Sequence, residues 1–204
     1  MKLLLLTLLL FGVILDSSAS TKPSDIAETS PDGKWLFKAQ WFGDNGYMWE
    51  LENTSSRQTY FAQASPRADE ILPARLRLLW SPDSHYLAIN FRYGRIASGM
   101  NVIALAGAVP DDHVTWPRSN EISMIKPEDR KMWTGEGVAN CGADEWIALD
   151  TLVLDIDMNS ELNDKTSGTK FHIDSSRQVT IQFSGLKGKV VDDQPPVYDK
   201  EPEP

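Results

Sequence analysis

The chain has a single cysteine, Cys141, in 204 residues. It therefore cannot close an internal disulfide, and an exported fold of this sequence must be held by its core. Positive charge is scarce: 20 Lys and Arg face 29 Asp and Glu, for a formal net charge of −9. Without clustered Lys and Arg to neutralise phosphates, nucleic acid is not expected as a partner. Only three histidines occur, His85, His113 and His172, and none share a paired spacing, so no zinc site is expected. FSGLKG and RIASGM lack the first glycine of a G-x-S-x-G nucleophile elbow, and GEGVANCG lacks the spacing of a phosphate-binding loop. No cofactor is expected.

Long apolar runs are also missing, with one exception. In MKLLLLTLLLFGVILDSSAS, Lys2 precedes an apolar run from Leu3 to Leu15, followed by Ser17, Ser18, Ala19 and Ser20. That order is the order of a secretory signal peptide, and the run is shorter than the ~20 residues that span a bilayer. Residues 1–20 are expected to be cleaved, leaving a secreted or periplasmic protein with no stable membrane insertion. At the other end, 192–204 (DDQPPVYDKEPEP) is acidic, proline-rich and poor in apolar residues, and is expected to be a disordered tail. One domain, 21–191, remains.

What is abundant is aromatic and alternating. Seven Trp, seven Phe and five Tyr supply a core, since each aromatic ring buries ~150–250 Å². WLFKAQWF, YMWELE and RQTYFAQ are strand-like runs separated by GDNG and NTSS, with Trp35, Phe37, Ala39 and Trp41 on one face and Lys38 and Gln40 on the other. SPDGKWL (30–36) returns as SPDSHYL (81–87), so that Ser30, Pro31, Asp32, Leu36 and Gly43 match Ser81, Pro82, Asp83, Leu87 and Gly94 at an offset of 51. With three residues inserted in the second loop, YMWEL (47–51) then aligns with NVIAL (101–105). This is repetition at a supersecondary period. Pro31 and Asp32 suit the corners of a tight turn and Gly33 its positive φ. Ser84 holds that glycine position in the second copy, where a left-handed conformation costs ~1–2 kcal/mol, so Ser84→Gly is expected to be neutral or stabilising.

SPDGKWL with its following strand, glycine loop and YMWEL, and LLWSPDSHYLAINF still more closely, resembles the blade repeat of TolB-like, tricorn-protease-like and dipeptidyl-peptidase-type β-propellers. The resemblance covers roughly residues 29–106. It implies antiparallel four-stranded blades used for docking or as a gate over a separate catalytic domain. A closed ring takes about four or more blades of ~40–45 residues; here two units are clear and a divergent third lies near WIALDTLVLDIDM. The expected fold is all-β, built of blade-like meanders as an incomplete propeller or sandwich-like packing, with at most one short helix, in KPEDRKMW. TGEGVANCGAD is expected to be irregular, and KFHIDSSRQVTIQF to form a hairpin in which Phe171 and Ile173 face Val179, Ile181 and Phe183.

Three groups of residues are candidates for chemistry. Cys141 with a histidine could make a thiol nucleophile and its base. In DIDMNSELND, Asp155, Asp157 and Asn159 alternate as in the start of a calcium loop, yet Ser160 stands where an EF-hand needs glycine and Thr166 where it needs the bidentate Glu. The expectation there is a strand with Leu152, Leu154, Ile156 and Met158 inward and a turn opening at Asn159; no metal is expected. Arg92, Tyr93 and Arg95, at the mouth of the second hairpin, are the candidate binding residues for an acidic partner. The expected function is a non-catalytic exported domain that binds another protein or serves as a scaffold. The alternatives are an inhibitor or immunity-type protein, and a small secreted hydrolase using Cys141. Open sheet edges would also allow an oligomer.

Overall fold

The computed structural model describes residues 25–41, 47–64, 76–93, 97–117 and 124–203. The chain is all-β, and among the described residues its strands form three antiparallel sheets, none closed into a barrel. The first holds β1 (Ile26–Thr29), β2 (Trp35–Trp41), β3 (Tyr47–Asn53) and β4 (Thr59–Ala64); the middle one holds β5 (Arg77–Trp80), β6 (Tyr86–Tyr93) and β7 (Ala97–Ala104). The third is built of β8 (Trp133–Trp146), β9 (Thr151–Asn163), β10 (Lys170–Ser184), β11 (Lys187–Asp193) and β12 (Val197–Pro202). The sequence 1–24, including the expected signal segment, lies outside the described residues.

The repeated phrase is a hydrogen-bonded device written twice. In the first copy the Ser30 hydroxyl donates to Asp32 Oδ1 (2.7 Å) and accepts from the Trp35 N–H (3.0 Å), while Asp32 Oδ1 also accepts from the Lys34 N–H (3.1 Å). In the second, Ser81 donates to Asp83 Oδ1 (2.8 Å) and accepts from Tyr86 N–H (2.9 Å), and His85 N–H donates to the same carboxylate (3.1 Å). Both serines are buried, so each hydroxyl satisfies a strand-opening N–H that water cannot reach. Burial pushes the Asp32 carboxyl up, but the Ser30 hydroxyl, the Lys34 N–H and the Lys34 ammonium together bring it down to about 2.

Gly33 and Ser84 both take positive φ, +73° and +62°, as the phrase predicts. Ser84 does more than tolerate the strain: it is 2% exposed, and its Oγ accepts the Asp32 N–H at 3.0 Å, joining the two turns. Relief of ~1–2 kcal/mol of strain in Ser84→Gly is thus offset by loss of a bond worth ~0.5–1.5 kcal/mol. Thermal melting should place Ser84→Gly within about 1 kcal/mol of the parent and Ser84→Ala about 1–2 kcal/mol below it, because alanine keeps the strain and loses the acceptor. Equal melting of the alanine variant and the parent would remove this contact from the fold.

Pairing register extends the repeat further than the sequence does. Ile26 pairs with Ala39 and Trp35 with Asn53 in the first sheet; Arg77 pairs with Asn90 and Tyr86 with Ala104 in the middle one. Every partner is displaced by 51, so the three-residue insertion expected in the second loop is absent and YMWEL does not match NVIAL. The sequence alignment slid because Trp49 and Leu51 look like Ile103 and Leu105, whereas their register equivalents are Met100 and Val102. A one-step slip in a strand exchanges its faces.

The faces decide how the sheets stack. Trp35, Phe37, Ala39, Trp49 and Leu51 of the first sheet pack against Leu87, Ile89, Ile103 and Leu105 of the middle one. The opposite face of the middle sheet, with Tyr86, Ala88, Met100 and Val102, packs on the third sheet through Leu152, Leu154, Ile156, Ile173, Val179, Ile181 and Phe183. The middle sheet is therefore buried on both sides, which is why YLAI is apolar at four consecutive positions. Asn90 stitches this second interface, its carboxamide both donating to Ala143 O and accepting from Ala143 N–H at 2.7 Å.

Four expectations for the second half are corrected. TGEGVANCGAD lies within β8, a strand carried by pairing to β9 despite its glycines. The strand containing Asp155 does not turn at Asn159 but continues to Asn163, because Ser160 and Leu162 keep the buried phase; the turn comes at Asp164–Gly168, where Gly168 has φ +73°. KFHIDSSRQVTIQF is one strand rather than a hairpin: the expected turn at DSSR is bridged by buried Ser175, whose hydroxyl donates to Met124 O (2.8 Å). The expected disordered tail, 192–204, contains β12, paired with β10 from Phe171↔Pro202 to Ser176↔Val197. Composition missed it because Tyr198 packs on the core and Lys200 pairs with buried Asp129 at 2.6 Å. KPEDRKMW forms consecutive turns, Asp129 N–H to Lys126 O and Met132 N–H to Asp129 O, and among the described residues there is no helix.

Candidate functional site

Arg92 and Tyr93 close β6, where they pair with Ser98 and Ala97, but their side chains and all of Arg95 lie outside the described residues. The position on the hairpin is at the end of the stack opposite the SPD turns, since β6 runs away from Ser84.

Cys141 sits on the inner face of β8 against Ile156 and packs with the core. Burial, with Asp155 adding to it, pushes its thiol up to about 11. The histidines are engaged elsewhere: His85 Nδ1 lies 2.9 Å from Asp83, His113 Nδ1 lies 2.8 Å from Asp111, and His172 Nε2 meets Asn159 Nδ2 at 3.0 Å. A thiol at about 11 leaves roughly one thiolate in a thousand at pH 8. Iodoacetamide should accordingly label Cys141 at least about a hundredfold more slowly in the folded chain than in guanidinium, followed by mass spectrometry. Equal rates would reopen the thiol as a nucleophile.

Asp155, Asp157 and Asn159 lie along the outward face of β9 rather than around a loop. Alternate residues of a strand are about 7 Å apart, too far to share the 2.3–2.6 Å shell of one calcium ion. Across the sheet, however, Asn159 stands beside Asp174 and Asp174 beside Asp199, and with Asp157, Asn140 and Val197 they line a groove of about 340 Å³. Burial, then Asp155, raises the Asp157 carboxyl. Asp111, Asp112 and His113 could bring ligand atoms within 4.8 Å of one another. There the hydrogen bond that His113 makes to Asp111, followed by the charges of Asp111 and Asp112, raises the ring, so a metal would compete with a proton for it.

One set of exposed residues belongs to no sequence motif. Ile147 and Leu149, in the turn joining β8 to β9, are 56% and 55% exposed, and Leu186, in the turn joining β10 to β11, is 38% exposed. The turns adjoin, because Phe183 N–H donates to Asp150 O at 2.8 Å. They share an end of the stack with the second SPD turn, since Tyr86 donates from its hydroxyl to Gly185 O at 3.1 Å and stacks on Trp146 at 5.7 Å. WIALDTLVLDIDM reads as one strand, yet Ile147 and Leu149 fall out of phase with buried Leu152 and Leu154. That break of phase was the available signal. Turns favour Gly, Pro, Asn, Asp and Ser, so two exposed aliphatic residues in one turn depart from local chemistry.

No protein-family model and no curated protein matches the chain. Among solved structures, one from an analysis of two prolyl endopeptidases and the role of their inter-domain dynamics is similar, at 9% identity and a TM-score of 0.37. The match covers 82% of this chain and 28% of that protein, so the chain spans little more than a quarter of its length, and at this similarity it is placed in no family.

Proposed function

We propose that the chain is a non-catalytic exported domain that binds another protein through turns at the ends of its stack. One observation carries the reading: Ile147, Leu149 and Leu186 are exposed together on adjoining turns, whereas Met48, Trp133, Val191 and Val197 are exposed singly on strands whose outward neighbours are largely polar. Lys38, Gln40 and Glu50 face outward from the first sheet, and Asp155, Asp157, Asn159 and Asp174 from the third, so the outer sheets act like the polar end repeats that cap a stacked protein. Three of the sheet edges are poor docking sites as well. β1 and β5 are four residues long, and Pro195 and Pro196 separate β11 from β12 along the third sheet's edge. An inhibitor or immunity-type protein, seated in another enzyme's cleft by such turns, is the specific form of this reading.

Two surfaces are then in play, the Arg92–Arg95 hairpin and the Ile147, Leu149 and Leu186 turns. Capture of a partner from the native compartment should be lost with Arg92→Glu plus Arg95→Glu or with Ile147→Ser plus Leu149→Ser. Retention of the same partner by both variants would overturn binding through the turns. Turnover of any substrate that disappears in Cys141→Ser would overturn the non-catalytic reading.

A further inference from the structure

We infer that the turn end of the middle and third sheets receives a cationic amphipathic segment of the partner, its apolar side covering Ile147, Leu149 and Leu186 and its lysines or arginines facing Asp83, Asp144 and Asp150. The inference rests on the protein-binding reading above and names the partner's chemistry. Exposed apolar residues grouped on adjoining turns mark an interaction surface more than singly scattered ones do. What surrounds them selects the occupant.

Asp150 belongs to the Ile147 turn itself, and its carbonyl ties that turn to the strand leading to Leu186. The Asp144 side chain, near the end of β8, is 40% exposed; Arg77 donates to the Asp144 carbonyl at 2.9 Å and stands 3.9 Å from its carboxylate, an exposed pair whose carboxylate a second cation can also reach. Asp83 lies in the second SPD turn, its side chain 22% exposed and its carboxylate shared with the Ser81 hydroxyl, the His85 N–H and the His85 ring. Besides burial, both Asp150 and Asp83 raise the Tyr86 hydroxyl that lies between the turns, so their fields converge there. A second copy of this chain would set the same carboxylates face to face, and an anionic lipid surface would repel a chain of net charge −9. A surface with an apolar centre and a basic rim meets neither obstacle.

Fluorescence anisotropy with a labelled leucine–lysine amphipathic peptide, and with its leucine–glutamate counterpart, tests this on the intact chain. The lysine peptide should bind and the glutamate peptide should not. Ile147→Ser plus Leu149→Ser, exposed positions where folding changes by about 0.5 kcal/mol or less, should weaken binding at least about tenfold. Asp144→Asn plus Asp150→Asn should weaken it similarly and flatten its salt dependence. Failure of the lysine peptide to bind, equal binding of the two peptides, or unchanged binding by either variant overturns the inference. So does retention on phosphatidylcholine vesicles, or a dimer seen by light scattering, that the apolar variant abolishes. Capture of a native partner that survives Ile147→Ser plus Leu149→Ser but not Arg92→Glu plus Arg95→Glu would overturn this inference and leave protein binding standing. Cys141-dependent turnover alongside the expected peptide binding would overturn the non-catalytic reading and leave this inference standing.

Discussion

Ile89→Lys should unfold the chain, although lysine is what the first copy of the repeat carries at the same register position. Lys38 and Ile89 both follow their SPD turns at the offset of 51, on equivalent faces of β2 and β6. In the first sheet that face looks outward, and the Lys38 ammonium lies among carboxylates, 3.4 Å from Glu50 and in contact with Glu52. In the middle sheet the same face meets Phe37 and Leu51, and Ile89 is 1% exposed. A lysine there loses the packing of a buried isoleucine, ~2–5 kcal/mol on truncation, and gains an unpaired buried charge, ~3–5 kcal/mol. Even with partial relaxation, about 4 kcal/mol or more should be lost, a large share of the ~5–15 kcal/mol that holds a domain together. Urea denaturation followed by tryptophan fluorescence measures it. The companion change, Gln40→Phe, writes the residue at the Phe91 position into the exposed face of the first copy and should shift stability by about 0.5 kcal/mol or less. If Ile89→Lys unfolds within about 1 kcal/mol of the parent, that face of β6 is open and the three-layer packing is wrong.

This contrast also shows which parts of the fold were legible in the residues. The polar second face of WLFKAQWF against the apolar YLAINF already distinguishes an end layer from a middle layer, and the SPD phrase fixes where strands begin. Positive φ at Ser84 followed from its alignment with Gly33. The register of the second hairpin did not follow, because apolar residues lie on both faces of a doubly buried strand and alternation no longer pins the phase. Long strands were cut at polar sites for a related reason. Ser160 and Ser175 are buried in strands where turns were expected, each held by a hydrogen bond: Trp133 Nε1 donates to Ser160 Oγ at 2.9 Å, and Ser175 reaches Met124 O. Such partners come from distant sequence and leave no local trace. At the candidate site, charge and motif rules singled out Arg92, Tyr93 and Arg95, while Ile147 and Leu149 were absorbed into a strand by hydrophobicity alone. Only their phase against Leu152 separates a turn tip from a core strand.

Removing residues 195–204 should cost at least about 3 kcal/mol, where a disordered tail would cost nothing. Three losses combine. β10 gives up its pairing with β12 over six residues, from Phe171 to Ser176. Tyr198 leaves the core surface, where Lys126 Nζ stands 4.7 Å from its ring centroid, and Lys200 leaves Phe171, whose ring it covers at 4.4 Å. Most costly is the carboxylate left behind: Asp129 is 6% exposed and its ammonium partner at 2.6 Å is gone. A buried charge stripped of its partner costs ~3–5 kcal/mol in general, and the value here lies at the lower end because the Lys200 side chain is 26% exposed. For a domain of ~150–250 residues, where each kcal/mol moves the melting temperature by ~2–4 °C, the truncated chain should melt at least about 10 °C lower. The charge component has its own signature. Asp129→Asn should destabilise the full chain, where it breaks an ion pair, yet stabilise the truncated chain, where it removes an orphaned charge. That reversal of sign separates a latched strand from a passive tail, since a tail with no contact to Asp129 would give the same change in both backgrounds.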